Sequence, residues 1–260
     1  MKSTNHILDT ALEISDHAAE LIRLSSKKIK SFKSKGEVSN LVTQTDIEAD
    51  KLITSKIKES FPEHSIISEE LGSNNLSSDY TWYIYPIDGT NNFVHNYPSF
   101  AVSIGIFYKN EPIAGVVYDI PNNEKYFALK NQGSFCNNSK ISVSKRMNFN
   151  EGLFVTGFIP YDEKFIDKNL QIIKNINLGS HGVRRLGAAS LDMCHVAKGT
   201  VEGVWEYNLQ PWDTAAGNII VTEAGGKVSD DNNKNFDFGK CVVASNGNVH
   251  DEFVDIIQKS

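Results

Sequence analysis

The chain has 260 residues, 40% of them hydrophobic and 22% charged, the shares of an ordinary globular protein, which exclude wholesale disorder. Twenty-six Lys and Arg against 32 Asp and Glu give a net charge of −6. That excludes a nucleic-acid binder held by a basic surface, yet leaves room for an anionic substrate gripped by a metal ion or a helix N-terminus.

A chain of this length buries roughly three quarters of its unfolded surface and needs no disulfide or metal merely to stay folded. Cys136, Cys194 and Cys241 therefore read as free thiols in a reducing compartment, not as a disulfide framework or a zinc site. Ile7, Leu8, Ala11, Leu12, Ile14, Ala18, Leu21 and Ile22 recur at helical spacing and predict an amphipathic first helix. Asp9, Glu13, Asp16 and Glu20 break its apolar run, so it reads as neither a signal peptide nor a membrane span. No later stretch approaches the roughly 20 apolar residues of a span, and a cytoplasmic protein is expected. Residues 25–40, rich in Lys, Ser and Gly, read as a mobile loop whose lysines are either solvated or close to a bound anion.

A second helix opens at Thr45 and Asp46, with Asp46 as its candidate cap, and ends at Phe61-Pro62. Residues 65–67 form a short apolar strand that runs into Glu69-Glu70. Residues 82–85 form another, which stops at Pro86 and gives way to Ile87-Asp88-Gly89-Thr90-Asn91. Strand-like stretches at 100–108, 113–118 and 125–129, separated by turn signals, predict an antiparallel meander. Near residue 150 the pattern changes. Strand candidates at 153–157, 201–207, 227–229 and 241–244 alternate with helical stretches at 162–176, 188–198 and 213–224, and a last helix follows Asn248. The expectation is an α+β domain over residues 1–150 and an α/β domain over residues 151–260.

Three carboxylate positions share one design. Glu69-Glu70 follows a strand, Asp88 follows a strand and precedes Gly89-Thr90, and Asp213 follows Pro211-Trp212 at a helix start. Strand ends gather at one edge of a sheet, so these oxygens can converge into the hard-ligand set that Mg²⁺ takes. Equally, Asp88 and Asp213 can be helix caps and Glu69-Glu70 a solvated pair. The Gly89-Thr90-Asn91 turn offers backbone N–H groups to an anion. The Thr90 hydroxyl can orient a water if a carboxylate stands behind it, and Asp46 is the candidate.

The run from Tyr85 to His95 closely resembles the signature of the inositol monophosphatase family, Asp-Pro-Ile-Asp-Gly-Thr-x-Asn-Phe. Trp212-Asp213-Thr214-Ala215-Ala216-Gly217 matches its second motif, Trp-Asp-x-Ala-Ala-Gly. Ser68-Glu69-Glu70 looks like its Gly-Glu-Glu segment and Leu41-Val42-Thr43-Gln44-Thr45-Asp46 like its Val-Thr-x-x-Asp segment. Arg185-Leu186-Gly187-Ala188-Ala189 and residues 193–199 also fit, so the resemblance spans essentially the whole chain in family order.

The resemblance implies a layered αβαβα sandwich, usually a homodimer, that hydrolyses small phosphorylated metabolites with Mg²⁺. Carried over residue by residue, it makes Glu69 and the Ile87 carbonyl metal ligands and has Asp88 and Asp213 hold a second ion. Asp46 and Thr90 would activate the attacking water, with Glu69 in the catalytic set as metal ligand. Gly89, Thr90 and Asn91 would cradle the phosphate, Glu206 would contact sugar or inositol hydroxyls, and Gly187 and Ala188 would line the substrate side. The departure is Tyr85, where the family has a metal-bridging Asp. A phenol has one oxygen, is neutral near pH 7 and is a poor Mg²⁺ ligand, so impaired catalysis is expected. The substrate expected first is an inositol monophosphate. The alternatives are a non-catalytic binder of phosphorylated small molecules, or a phosphatase acting on NADP, fructose bisphosphate or a nucleotide bisphosphate, for which Arg184 and Arg185 could supply extra basic contacts.

Overall fold

The computed structural model describes residues 4–26, 31–36, 41–74, 76–158, 163–238 and 241–260. Its first half runs α1 (Thr4–Ser26), β1 (Phe32–Ser34), β2 (Leu41–Thr43), α2 (Gln44–Ser60), β3 (Ser65–Ser68), β4 (Gly72–Ser73), β5 (Tyr80–Asp88) and α3 (Thr90–His95), then the meander β6 (Ala101–Tyr108), β7 (Glu111–Asp119), β8 (Glu124–Leu129), β9 (Gly133–Cys136) and β10 (Ser139–Ile141). The second half runs β11 (Phe154–Thr156), α4 (Glu163–Gly179), β12 (Val183–Arg184), α5 (Ala189–Ala197), β13 (Gly203–Tyr207), α6 (Pro211–Glu223), β14 (Lys227–Ser229), β15 (Cys241–Ser245) and α7 (His250–Lys259).

These elements stack as five layers. An eight-stranded sheet, ordered β10-β9-β8-β7-β6-β5-β3-β4, carries α1 and α2 on one face. It is antiparallel except where β3 lies parallel to β5. On its other face lie α5 and α6, which are backed in turn by a five-stranded sheet, β12-β11-β13-β15-β14. There β12, β11 and β13 are parallel and β15 runs against them. Helices α4 and α7 pack together as the outermost layer. Three apolar clusters fill the gaps. Trp82, Ile53 and Ile104 belong to the first, Met193 and Ile220 to the second, and Phe154, Trp205 and Phe253 to the third. Each such side chain contributes about 2–3 kcal/mol by leaving water. Cys136, Cys194 and Cys241 are all buried and free. Among the described residues, no helix is long and apolar enough to cross a membrane.

The middle helical layer sits unusually close to the large sheet. A Cβ at Gly105 on β6 would lie 2.5 Å from Ala215 Cβ on α6, and one at Gly115 on β7 would lie 2.7 Å from the Ala216 carbonyl oxygen. Bare glycine backbone on the sheet and alanines on the helix permit that approach.

The structure amends four local readings. The stretch 25–40 contains a strand, β1, paired antiparallel with β2; residues 27–30 and 37–40, with three of its lysines, lie outside the described residues. The strand of residues 82–85 does not stop at Pro86, because a register shift between Tyr85 and Asp88 accommodates the missing N–H and β5 continues to Asp88. The cap of α2 is Thr43, one turn earlier than expected; Asp46 is the third helical residue and closes a capping box with it. The meander also extends through β9 and β10, whose short length and Gly and Ser content gave no strand signal.

Candidate active site

Parallel pairing of β3 with β5 sets the first wall of a cleft. Ser68 lies opposite Ile84, and the Glu69 N–H donates to the Ile84 carbonyl at 3.2 Å, so Glu69 stands beside Tyr85 at the strand ends. The turn that follows is pinned from α2, where Asp50 Oδ2 accepts the N–H groups of Glu70 and Leu71 at 3.0 and 3.1 Å. The bulged end of β5 delivers Asp88. Gly89 then adopts φ 85°, where a Cβ would meet the Ser99 carbonyl oxygen at 2.8 Å, so only glycine turns the chain here. Helix α3 opens directly at Thr90. Across the gap, Pro211 starts α6 and places Asp213 in its first turn, where Oδ2 accepts the Gln210 N–H at 2.5 Å.

Glu69, Tyr85, Asp88, Thr90, Glu206 and Asp213 all line one cavity of about 440 Å³. Gly89, Asn91 and Gly187 line it as well, whereas Asp46, Ile87 and Ala188 lie behind its surface. Thr90 Oγ1 lies 3.0 Å from Asp46 Oδ1 and 3.0 Å from the Ile87 carbonyl oxygen, and can donate to either. Asp46 is held from its other side by Thr43, whose N–H donates at 2.8 Å and whose hydroxyl donates to the same oxygen. A threonine hydroxyl facing a cavity with a fixed, buried carboxylate behind it can orient a water and relay its proton.

The acids of this cavity lack a full countercharge. Burial pushes the Glu69 carboxyl up to about 8; the Lys35 ammonium pulls it down and Glu70 adds to the rise. Burial likewise carries Asp88 to about 6, against the hydrogen bonds it accepts from Ser190, whose N–H donates at 2.8 Å and hydroxyl at 2.6 Å. Asp213 stands well above the usual carboxylate range, through burial and then the Asp88 charge. Burial raises Asp46 as well, opposed by its bonds from Thr43 and Thr90. A bound cation is the ordinary remedy for such a cluster. The Glu69-Glu70 pair is not solvated: Lys35 Nζ lies 3.1 Å from Glu69 and 2.6 Å from Glu70, and the side chains are 18% and 9% exposed.

The donor set fits Mg²⁺ in its chemistry. Among the described residues, the lining holds carboxylates and no imidazole or thiol, and Glu69 Oε2 is buried with no hydrogen-bond partner. Its weakness is connection. Among the described residues, no group of three His, Cys, Asp or Glu is gathered closely enough to hold an ion by itself. Tyr85 stands among the acids instead. Burial and then the charges of Glu69, Asp213, Asp88 and Asp46 push its phenol well above its ordinary value, so it remains a neutral hydroxyl.

The opposite wall comes from the second half. Asn92 on α3 ties it to the first, because its Nδ2 lies 2.7 Å from the Ser99 carbonyl oxygen and 2.8 Å from that of Leu186. Arg185 and Gly187 follow along the cavity, and Glu206 projects from β13. Burial, followed by the charge of Asp88, carries Glu206 to about 8 against the pull of Arg185. Sequence reasoning missed Ser190 and Asp192, which lie in a helix with no charge pattern to mark them, and it gave no task to Asn92 within the Tyr85–His95 run. Lys35 it left as a solvated loop residue or an anion contact, whereas it pairs with the two glutamates.

A model of the inositol monophosphatase family matches residues 3–260. The chain is 40% identical to the chloroplastic phosphatase IMPL1 of Arabidopsis thaliana, over 98% of this chain and 71% of that one. It is 38% identical to the inositol-1-monophosphatase of Synechocystis sp., over 94% of this chain and 88% of the relative. The crystal structure of the extragenic suppressor protein suhB from Bartonella henselae superimposes with a TM-score of 0.94 at 30% identity, covering 98% of this chain and 99% of that one.

Proposed function

The chain belongs to the inositol monophosphatase family, a family of Mg²⁺-dependent phosphoric monoester hydrolases, and we propose that its cleft hydrolyses small phosphate monoesters of the inositol monophosphate kind. The observation that carries this reading is the convergence of Glu69, Asp88 and Asp213 on the cavity that also holds Thr90, with Asp46 behind it. Glu69, the Ile87 carbonyl, Asp88 and Asp213 are the residues that would hold Mg²⁺. When bound, the ion neutralises phosphoryl charge and lowers the pKa of a coordinated water.

The chain's own groups do the rest. Thr90 Oγ1 accepts a proton from the attacking water as it passes its own to Asp46, whose raised proton affinity suits that role. The Gly89–Asn91 turn, at the opening of α3, holds the phosphate against backbone N–H groups. Glu206, with Gly187 beside it on the cavity wall, receives the hydroxyls of the alcohol portion. Tyr85 withholds the negative charge that a carboxylate would place between the ion-holding acids, so turnover is slow and the demand for Mg²⁺ high.

The test is release of phosphate from inositol 1-phosphate by the purified chain in millimolar Mg²⁺, beside a Tyr85→Asp variant. Turnover in both, faster in the variant, is expected; no phosphate release from either would overturn the reading. A homodimer in a cytoplasmic setting belongs to the same proposal, with the exposed Met147 and Leu178 as apolar surface for a second copy to bury. Sedimentation reading a lone chain at micromolar concentration would refute that part.

A further inference from the structure

Behind the second wall lies an acid with no assigned task. Asp192 sits in the first turn of α5, which packs against β13. It is fully buried, and neither of its carboxyl oxygens meets a hydrogen-bond partner. An ionised carboxylate stripped of both water and partners is too costly to persist, so such a group keeps its proton. Its charged surroundings are few. Among the described residues, Glu206 acts on it most strongly, Asp88 less so, and Arg185 opposes them. Glu206 is buried in the same region, packed so closely on Gly157 that a Cβ there would fall 1.8 Å from its Oε1. Its Oε2 also lacks a hydrogen-bond partner. Two carboxyls on packed elements thus hold three buried oxygens without partners, and a neutral acid has one O–H to give.

We propose that Asp192 is a positioning residue for Glu206: as a neutral acid it donates its O–H to the Glu206 carboxylate, fixing that side chain so that its outer face accepts the hydroxyls of the substrate. This rests on the reading of Glu206 as the group that meets the alcohol portion. A donated hydrogen bond favours the charged acceptor. Asp192 therefore helps Glu206 ionise against burial and the Asp88 charge. Arg185, at the cavity surface, acts from the other side. Asp192 touches no reacting atom; its effect falls on which alcohols bind, not on breaking the P–O bond.

The test needs two variants and two readouts on the full chain. Asp192→Asn keeps the shape and a donor, whereas Asp192→Leu keeps the bulk and removes it. Carboxyl ¹³C NMR, with assignments from the variants, follows Asp192 and Glu206 through pH 5–9 without any turnover. Asp192 is expected to stay protonated throughout. The Glu206 midpoint should rise by about one unit in Asp192→Leu and by less than half a unit in Asp192→Asn. In kinetics with Mg²⁺, Asp192→Leu should raise KM for inositol 1-phosphate roughly tenfold with kcat nearly unchanged, and Asp192→Asn should restore most of it. Hydrolysis of p-nitrophenyl phosphate, which offers no hydroxyls, should be unaffected in both. An ionised Asp192 at pH 7, or a Glu206 midpoint indifferent to Asp192→Leu, would overturn the proposal. Equal loss on both substrates would too. If no ester is hydrolysed but the NMR coupling stands, the phosphatase reading falls and the acid pair remains.

Discussion

The two walls of the cleft are built on opposite plans. The first takes Asp46, Glu69, Tyr85, Asp88 and Thr90 from residues 41–95, where Thr43 holds Asp46 and the Ile87 carbonyl faces Thr90, while Glu69 pairs with Lys35 and Asp88 reaches across to Ser190 on α5. The second draws Arg185, Asp192, Glu206 and Asp213 from α5, β13, α6 and the segment before them. Among the described residues, it leaves three carboxyl oxygens of Asp192 and Glu206 buried with no donor, against one, Glu69 Oε2, on the first wall. Contiguous segments can satisfy a charged group locally, whereas a wall assembled from separate layers depends on the exact stacking of those layers. On the proposed reading, chemistry is concentrated on the first wall and discrimination among alcohols on the second.

That contrast can be broken most sharply at Asp213, which faces the first wall from the second. Asp213→Asn should lower phosphate release by about a thousandfold and abolish the rise in melting temperature on adding Mg²⁺; a variant that keeps both would show that the walls do not share an ion. Next comes the first wall alone. Tyr85→Asp should raise turnover at limiting Mg²⁺ by at least about tenfold and lower the Mg²⁺ concentration at half-maximal rate. Equal rates would mean that the phenol costs nothing.

A smaller effect belongs to the layers behind the second wall. His250, at the start of α7, is buried and hydrogen-bonds Ser229 at 2.8 Å and Ser245 at 2.9 Å. Burial, helped by Lys227, lowers it to about 4 from an ordinary 6.5. The folded state thus refuses a proton that the unfolded chain takes up. The stability is present above pH 6.5 and is lost as pH falls toward 4, by up to about 3 kcal/mol. Urea midpoints at pH 7 and pH 4.5 should show this fall, and His250→Gln should flatten it. Smallest is Thr43→Ala. It removes the cap of α2 and one donor to Asp46 and should cost about 1 kcal/mol of stability, with a modest loss of rate; an unchanged melting temperature would argue that Asp46 holds the helix end without it.

How far the sequence could be read follows the same division. Glu69, Asp88, Thr90 and Asp213 were legible because strand-end acids and a Gly-Thr turn lie in short runs that local rules describe. The alternation of strand and helix gave only the mix of α+β and α/β halves; the five layers came from the family likeness. The pairing of Thr90 with Asp46 was proposed but could not follow from spacing, since 44 residues separate them. Asp192 gave no signal, because an acid among Leu, Met and Cys in a helix looks like one exposed residue on an apolar stretch until the fold closes both faces over it. The continuation of β5 through Pro86 was hidden for a related reason: a bulge is a property of two strands together, not of one.

The glycines of β6 and β7 carry a consequence well away from where they sit. Ala215 and Ala216 press on them two and three residues beyond Asp213, so the thickness of the interlayer gap is transmitted along α6 to the carboxylate at its tip. A methyl group added at position 105 or 115 would prop the helix outward and tilt that tip, detuning the cleft without altering any residue that lines it. Attempts to toughen this protein by replacing interior strand glycines, ordinarily a benign strategy, should therefore surface as lost catalysis before they surface as lost folding.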